Sequence, residues 1–203
     1  MSMSGTKRTR MIARAAVRAD LAQVAYELTR ERGFHNVTVD DMAAAAGVSR
    51  STLLRYFGSK EEAVLSAFDA HADQFADALR ARPAEEDDWT ALRRALAGVI
   101  EFYLQDPVAA LAMTRLIFDT PELSGRQLEK QHSWRPALTA ALAERAGVSG
   151  PVPISVEIKV AAATSCLNIA VERWSASNGE LDLAQLLDEG FDAFSSARNG
   201  RAH

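Results

Sequence analysis

The sequence is short of whatever would staple or interrupt a chain. Its single cysteine, Cys166, excludes an intramolecular disulfide and points to a reducing, cytoplasmic setting. Eleven glycines and six prolines leave long stretches without a helix breaker, and no run alternates apolar with polar residues as a half-buried strand does. There is no His-Glu-x-x-His pair and no phosphate-binding glycine loop. The N-terminal stretch MSMSGTKRTRMIARAAVR is basic but carries no apolar segment behind its charges, so it does not read as a secretory signal. Nor does any run of ~18 apolar residues stand out as a membrane span. What is abundant is Ala and Leu, within a 48% apolar composition. The expectation is an all-α chain with a core large enough to fold unaided, no cofactor, no metal and no membrane.

Negative charge is scarce at one end only. Residues 1–60 hold ten Lys/Arg against five Asp/Glu, while residues 61–203 hold thirteen against twenty-two. Lys7, Arg8, Arg10, Arg14 and Arg18 all precede the first acid, Asp20. A basic head on an acidic body suggests that the head meets a polyanion, and the N-terminal arm is placed to add electrostatic contact.

Periodicity and punctuation give about nine helices. The first runs from about Arg10 to Arg32, with Val17, Leu21, Val24 and Leu28 in one stripe and Gly33 as its stop. Thr38 with Asp41 starts a short second helix, which ends at Gly47. Ser49 caps a third, terminated by Gly58, and Ser59 with Glu62 opens a long fourth carrying Val64, Leu65, Phe68, Phe75 and Leu79. Helices then follow over Trp89 to Gln105, from Pro107, from Pro121 to Ala146, over Ile154 to Asn178, and through the stripe of Leu183, Leu187, Phe191 and Phe194. The domains expected are 10–58 and 59–203.

The second and third helices, joined by Gly47-Val48-Ser49 and braced by the first, read as a helix-turn-helix. Its second helix enters the major groove of DNA by the N-terminal end. With Leu53 and Phe57 facing the core, Arg50, Ser51, Leu54, Arg55 and Tyr56 face outward and Thr52 lies at the flank. Arg50 and Arg55 suit guanine edges or phosphate. The hydroxyls of Thr52 and Tyr56 suit phosphate oxygens. Lys60 sits in a helix's first turn, where a cation opposes the dipole, so a phosphate partner would explain it.

These residues carry a resemblance. GFHNVTVDDMAAAAGVSRSTLLRYFGSKEEAV, within about residues 15–66, resembles the DNA-binding domain of the TetR family of bacterial repressors. The resemblance implies an all-helical homodimer on a palindromic operator in double-stranded DNA. Family roles fall on Thr38 and Thr52 as backbone contacts, on Arg50, Ser51 and Arg55 as base-facing residues, and on Tyr56 and Lys60 as phosphate contacts. One position departs: where Leu54 stands, the family usually has a Tyr that touches DNA, so Leu54 either meets a thymine methyl or packs.

The acidic body shows no catalytic constellation, so no enzyme is expected. Glu129 and His132 have the spacing of a di-iron ligand pair, but the second pair that such sites require is missing. Two needs remain. One is dimerisation: Ala161, Ala162 and Ser165 allow close helix approach, and Leu183, Leu187, Phe191 and Phe194 supply area, with intramolecular core as the alternative. The other is an effector pocket, for which Phe68, Phe75, Phe102, Met113, Leu116, Ile117, Trp134, Leu138 and Trp174 are the candidates. The segment YLQDPVAALAMTRLIFDTPELSGRQLEKQHSWRPALTAALAERAG resembles the C-terminal domain of a TetR subfamily that includes mycofactocin-regulator-like proteins. That resemblance implies a fatty acyl-CoA-like ligand; Arg115, Arg126 and Arg135 are available cations for its phosphates, with surface salt bridges as the alternative. The function expected is a ligand-responsive repressor; the alternatives are a constitutive DNA-binding dimer and a helical small-molecule-binding enzyme.

Overall fold

The structure, a computed structural model, describes the backbone of residues 3–68 and 70–199 and the side chains of 7–67 and 74–194. Eleven α-helices and two 3-10 turns account for the regular structure, with no strand among the described residues. In chain order the helices are α1 Met3–Arg32, α2 Val39–Ala45, α3 Arg50–Phe57, α4 Lys60–Leu65, α5 Ala70–Arg80, α6 Asp88–Ala95, α7 Ala97–Gln105, α8 Pro107–Asp119, α9 Pro121–Arg145, α10 Ile154–Ala176 and α11 Leu183–Asn199.

Three of these differ from expectation. The N-terminal arm is helical from Met3, so the basic residues lie along α1 rather than ahead of it. The long fourth helix is two helices, because Ser66–Phe68 tightens into a 3-10 turn. There the Ser66 hydroxyl is drawn between Arg18 and Glu62. The helix expected over 89–105 has a one-residue break at Leu96, two residues before Gly98. By contrast α9 runs on through Pro136.

The chain sorts into two compact units, residues 1–69 with 119–127, and residues 70–118 with 128–203. The first is built on α1 to α4. Leu21, Ala25, Phe34, Val37, Met42, Leu53, Phe57, Val64, Leu65 and Leu123 are buried in it. Each large apolar side chain withdrawn from water contributes about 1.5–3 kcal/mol. The second unit has its core between α5, α6, α7, α9, α10 and α11, around Phe75, Leu92, Leu96, Leu142, Trp174 and Leu187. There α10 and α11 pack closely: a Cβ added at Gly190 would lie 3.3 Å from the Cβ of Cys166.

No described helix holds an unbroken run of ~18 apolar residues, but by length and mean hydropathy α10, Ile154–Ala176, would be able to cross a membrane. Val156, Val160, Ala163, Leu167, Ala170 and Trp174 on one of its faces are buried in the second unit, which explains the apolarity of that face as core packing.

Candidate nucleic-acid interface

The helix-turn-helix is fixed by three local devices. Thr38 is the N-cap of α2 in a reciprocal box. Its Oγ1 accepts from the Asp41 N–H at 3.1 Å, and the Asp41 carboxylate accepts from the Thr38 N–H at 2.8 Å. The Thr38 bonds hold the Asp41 carboxyl below the usual carboxylate range. At the other end of α2, Gly47 takes φ +67°, a left-handed conformation that suits glycine. The Gly47 N–H then reaches the Ala44 carbonyl and the Val48 N–H reaches that of Ala43, closing a Schellman motif. Ser49 comes next as the N-cap of α3, accepting from the Thr52 N–H at 3.2 Å.

With both ends set, α3 turns Leu53 and Phe57 inward, both buried. Arg50, Ser51 and Arg55 are exposed, and Thr52, Leu54 and Tyr56 are partly buried. The Arg50 guanidinium lies 2.7 Å from Asp40 of α2, a water-facing pair whose exchange for a phosphate would lose little. Arg55 has no ion-pair or hydrogen-bond partner among the described residues, so its charge is unopposed. With Arg14, Tyr56, Ala13 and Val17 it lines an open cleft of about 320 Å³ beside α1.

Two cations have structural roles that the sequence does not announce. The Lys60 ammonium donates to the carbonyls of Phe34 (2.8 Å) and Val37 (3.0 Å) and stands over the Phe34 ring. It thus clamps the turn that delivers Thr38, whatever else its third donor meets. Arg18 of α1 donates to the Tyr56 carbonyl in the last turn of α3, where unpaired carbonyls and the dipole favour a cation. It also stands over the Phe57 ring and bonds Glu62 and Ser66.

In the second unit, the effector candidates divide by burial. Phe75, Met113, Ile117, Leu138 and Trp174 are buried, and Phe102, Leu116 and Trp134 are partly buried. The Phe68 side chain lies outside the described residues. Tyr103 stacks edge-on against Phe102 and Trp174, and burial pushes its phenol up to about 12. Of the cations expected to meet phosphates, Arg115 bonds Asn178 and Arg135 is partly buried. Arg126, in the first unit, is paired with Glu62. Glu129 and His132 are both exposed, and no group of three or more metal-ligating side chains occurs among the described residues. Burial also pushes the Cys166 thiol up, away from the reactive thiolate.

The dimerisation candidates need a correction. Leu183 (1% exposed), Leu187 (0%) and Phe191 (3%) are already buried against their own chain, so they have no area left for a second copy. Phe194 is exposed at 52%, with its ring edge against Trp89. Ala161 and Ser165 lie on the outward face of α10, in register with three residues that sequence reasoning missed: Ile154, Ile158 and Ile169, all exposed. Because α10 is apolar nearly all round, its period alone does not separate a core face from an outer one.

Comparison with known proteins now decides the family. Residues 21–67 match the model for bacterial regulatory proteins of the tetR family, and residues 86–199 match that for the MftR C-terminal domain. The chain belongs to the TetR family. Its members here are transcriptional regulators, not enzymes, with an N-terminal helix-turn-helix. MftR of Mycobacterium tuberculosis is 33% identical over 127 residues, covering 63% of this chain and 64% of that one. The chain therefore aligns with somewhat under two thirds of this relative's length. The TetR fold is also that of Thermus thermophilus FadR, solved with lauroyl-CoA (TM-score 0.58, 23% identity, covering 86% and 91% of the two chains). Bacillus subtilis FadR, solved with stearoyl-CoA, is similar too (TM-score 0.53, 20% identity, covering 85% and 95%).

Proposed function

We propose that this TetR-family chain is a ligand-responsive repressor that binds a palindromic operator as a homodimer and lets go when a small apolar effector, acyl-CoA-like in chemistry, binds. The observation that carries the DNA-binding part is α3. Cap, glycine closure and second cap hold it so that Leu53 and Phe57 face inward and Arg50, Ser51 and Arg55 face water. Arg50 and Arg55 then read guanine edges or neutralise phosphate, Thr38 and Thr52 fix the register on the backbone, and Tyr56 and the third donor of Lys60 meet phosphate. Leu54, partly buried, either meets a thymine methyl or packs. Helical from Met3, the basic arm extends this cationic surface through Lys7, Arg8, Arg10 and Arg14.

A homodimer sets two such helices near one DNA turn apart, ~34–36 Å. The outward face of α10 (Ile154, Ile158, Ala161, Ser165 and Ile169) supports this reading, since a close-packed small-and-apolar stripe suits a second copy. The acyl-CoA-like effector is supported by the MftR-type C-terminal domain, by the ligands in the two FadR structures, and by the partly buried aromatics Phe102, Tyr103 and Trp134. Linkage requires that operator DNA weaken the effector by the same factor as the effector weakens DNA. Titration of lauroyl-CoA against the dimer, with and without a duplex that it binds, tests this: a lower affinity with DNA present is expected, and equal affinities remove the regulatory claim. The burial of Phe75, Leu138 and Trp174 in continuous core keeps a second reading open, a constitutive DNA-binding dimer. A ligand retained in native mass spectrometry favours the first, and bare protein the second.

A further inference from the structure

A surface that meets phosphates gains no attraction from a carboxylate, yet α2 opens on two acids, Asp40 and Asp41. Asp41 is accounted for, because its carboxylate closes the box with Thr38. Asp40 takes no part in that box, and its side chain is 67% exposed. What it holds is Arg50, the first residue of α3: Arg50 Nη1 donates to Asp40 Oδ2 at 2.7 Å. Arg50 has no other hydrogen-bond or ion-pair partner among the described residues, and its side chain is 55% exposed. A guanidinium engaged at Nη1 keeps Nε and Nη2, a second edge with two parallel donors. Two parallel donors are what the N7 and O6 atoms of a guanine accept.

In water, giving up the pair costs little. Against DNA the two uses of Arg50 differ. If Arg50 turns wholly to a phosphate, Asp40 is left as an unmatched negative charge beside a polyanion, and like charges brought together with water excluded repel strongly. If Arg50 reads a guanine through Nε and Nη2, Nη1 stays on Asp40 and the charge stays matched. The carboxylate thus weakens the contact that any sequence offers and keeps the one that only guanine offers. We infer that Asp40 is a specificity-determining residue, which positions Arg50 for a guanine and works against its use on phosphate. This rests on the reading of α3 as the DNA-binding helix and names how that same site discriminates. Specificity gained by repelling the wrong partner needs no tighter grip on the right one. An acid in the first turn also favours α2 through the helix dipole, but that role changes stability and not discrimination, so the two are separable.

The test uses the full-length protein in four forms: wild type, Asp40→Asn, Arg50→Ala and the double variant. Asparagine keeps the shape of aspartate and removes its charge. The wild type selects duplexes from a random-sequence pool, and affinity is measured at one salt concentration for a selected duplex and for an unrelated one. Asp40→Asn is expected to tighten the unrelated duplex about three- to tenfold and to change the selected one by less than about twofold, within the range for two residues in direct contact. The ratio of the two affinities therefore falls, and the sites that Asp40→Asn itself selects relax at one guanine. In the Arg50→Ala background Asp40→Asn is expected to leave the ratio unchanged. Equal tightening of both duplexes, which a bare charge gives, overturns the inference. So does equal weakening of both, which a structural role gives, or a full change of ratio without Arg50. If the wild type selects no duplex, the DNA-binding reading fails and takes this inference with it; a selected duplex with an unchanged ratio overturns the inference alone.

Discussion

The tetrapeptide Ala-Gly-Val-Ser occurs twice, at 46–49 and at 146–149. Both copies end a helix in the same way. Gly47 and Gly147 adopt φ +67° and +64°, and the N–H groups of Val48 and Val148 both return to an alanine carbonyl five residues back, Ala43 and Ala143. Then they part. After Ser49 comes Arg50-Ser51-Thr52, which lets Ser49 cap a new helix. After Ser149 comes Gly150-Pro151, which carries the chain as a loop to Pro153. A helix stop is thus a local property of four residues, while the second helix of a DNA-reading motif depends on the residues just beyond them. The same contrast runs through the charge: the region around the first copy is basic and that around the second is not.

The comparison can be broken most severely at the first copy's core. Phe57→Ala should cost about 3–5 kcal/mol, as large aromatic truncations do. It should abolish DNA binding while urea unfolding shows the second unit's transition largely retained. Next come the glycines. Neither Gly47 nor Gly147 has an atom within 4 Å of where a Cβ would stand, so the penalty at each is conformational. Alanine at either should cost about 1–2 kcal/mol. Thermal unfolding should register both, but only Gly47→Ala should lower DNA affinity, and Gly47→Asn should recover part of the loss. Smaller again is the serine pair: Ser49→Ala should cost about 1 kcal/mol as a lost cap, and Ser149→Ala should stay within about 0.5 kcal/mol.

Acid supplies the mildest probe. Arg82, with Arg94 behind it, holds the Glu86 carboxyl down at about 2, from 4.5. Because the folded value is the lower one, Glu86 contributes stability in full above pH 4.5 and loses it as pH falls towards 2. Glu86→Gln should flatten that part of the curve for the second unit. Asp41, lowered by Thr38, should act in the same sense in the first unit.

Much of this was legible because it is local. Thr38 with Asp41, Ser49 with Thr52, and Ser59 with Glu62 are short-range cap pairs, and all three form. The illegible part depends on residues far apart in sequence. Lys60 reaches carbonyls twenty-three and twenty-six residues back, and Arg18 reaches Glu62 forty-four residues on. Nothing in the local pattern distinguishes such cations from solvated ones. The stripe of α11 was visible as a stripe, but amphipathicity does not say whether an apolar face meets its own chain or another. Leu183, Leu187 and Phe191 meet their own.

The most direct measurement is the affinity of the full-length protein for a selected duplex and for an unrelated one, with wild type and Arg50→Ala compared over a range of salt. The account predicts that Arg50→Ala weakens the selected duplex by about 1–3 kcal/mol and the unrelated one far less, as loss of a base-reading contact does. Equal affinity of wild type and variant for both duplexes, at every salt concentration, would contradict it.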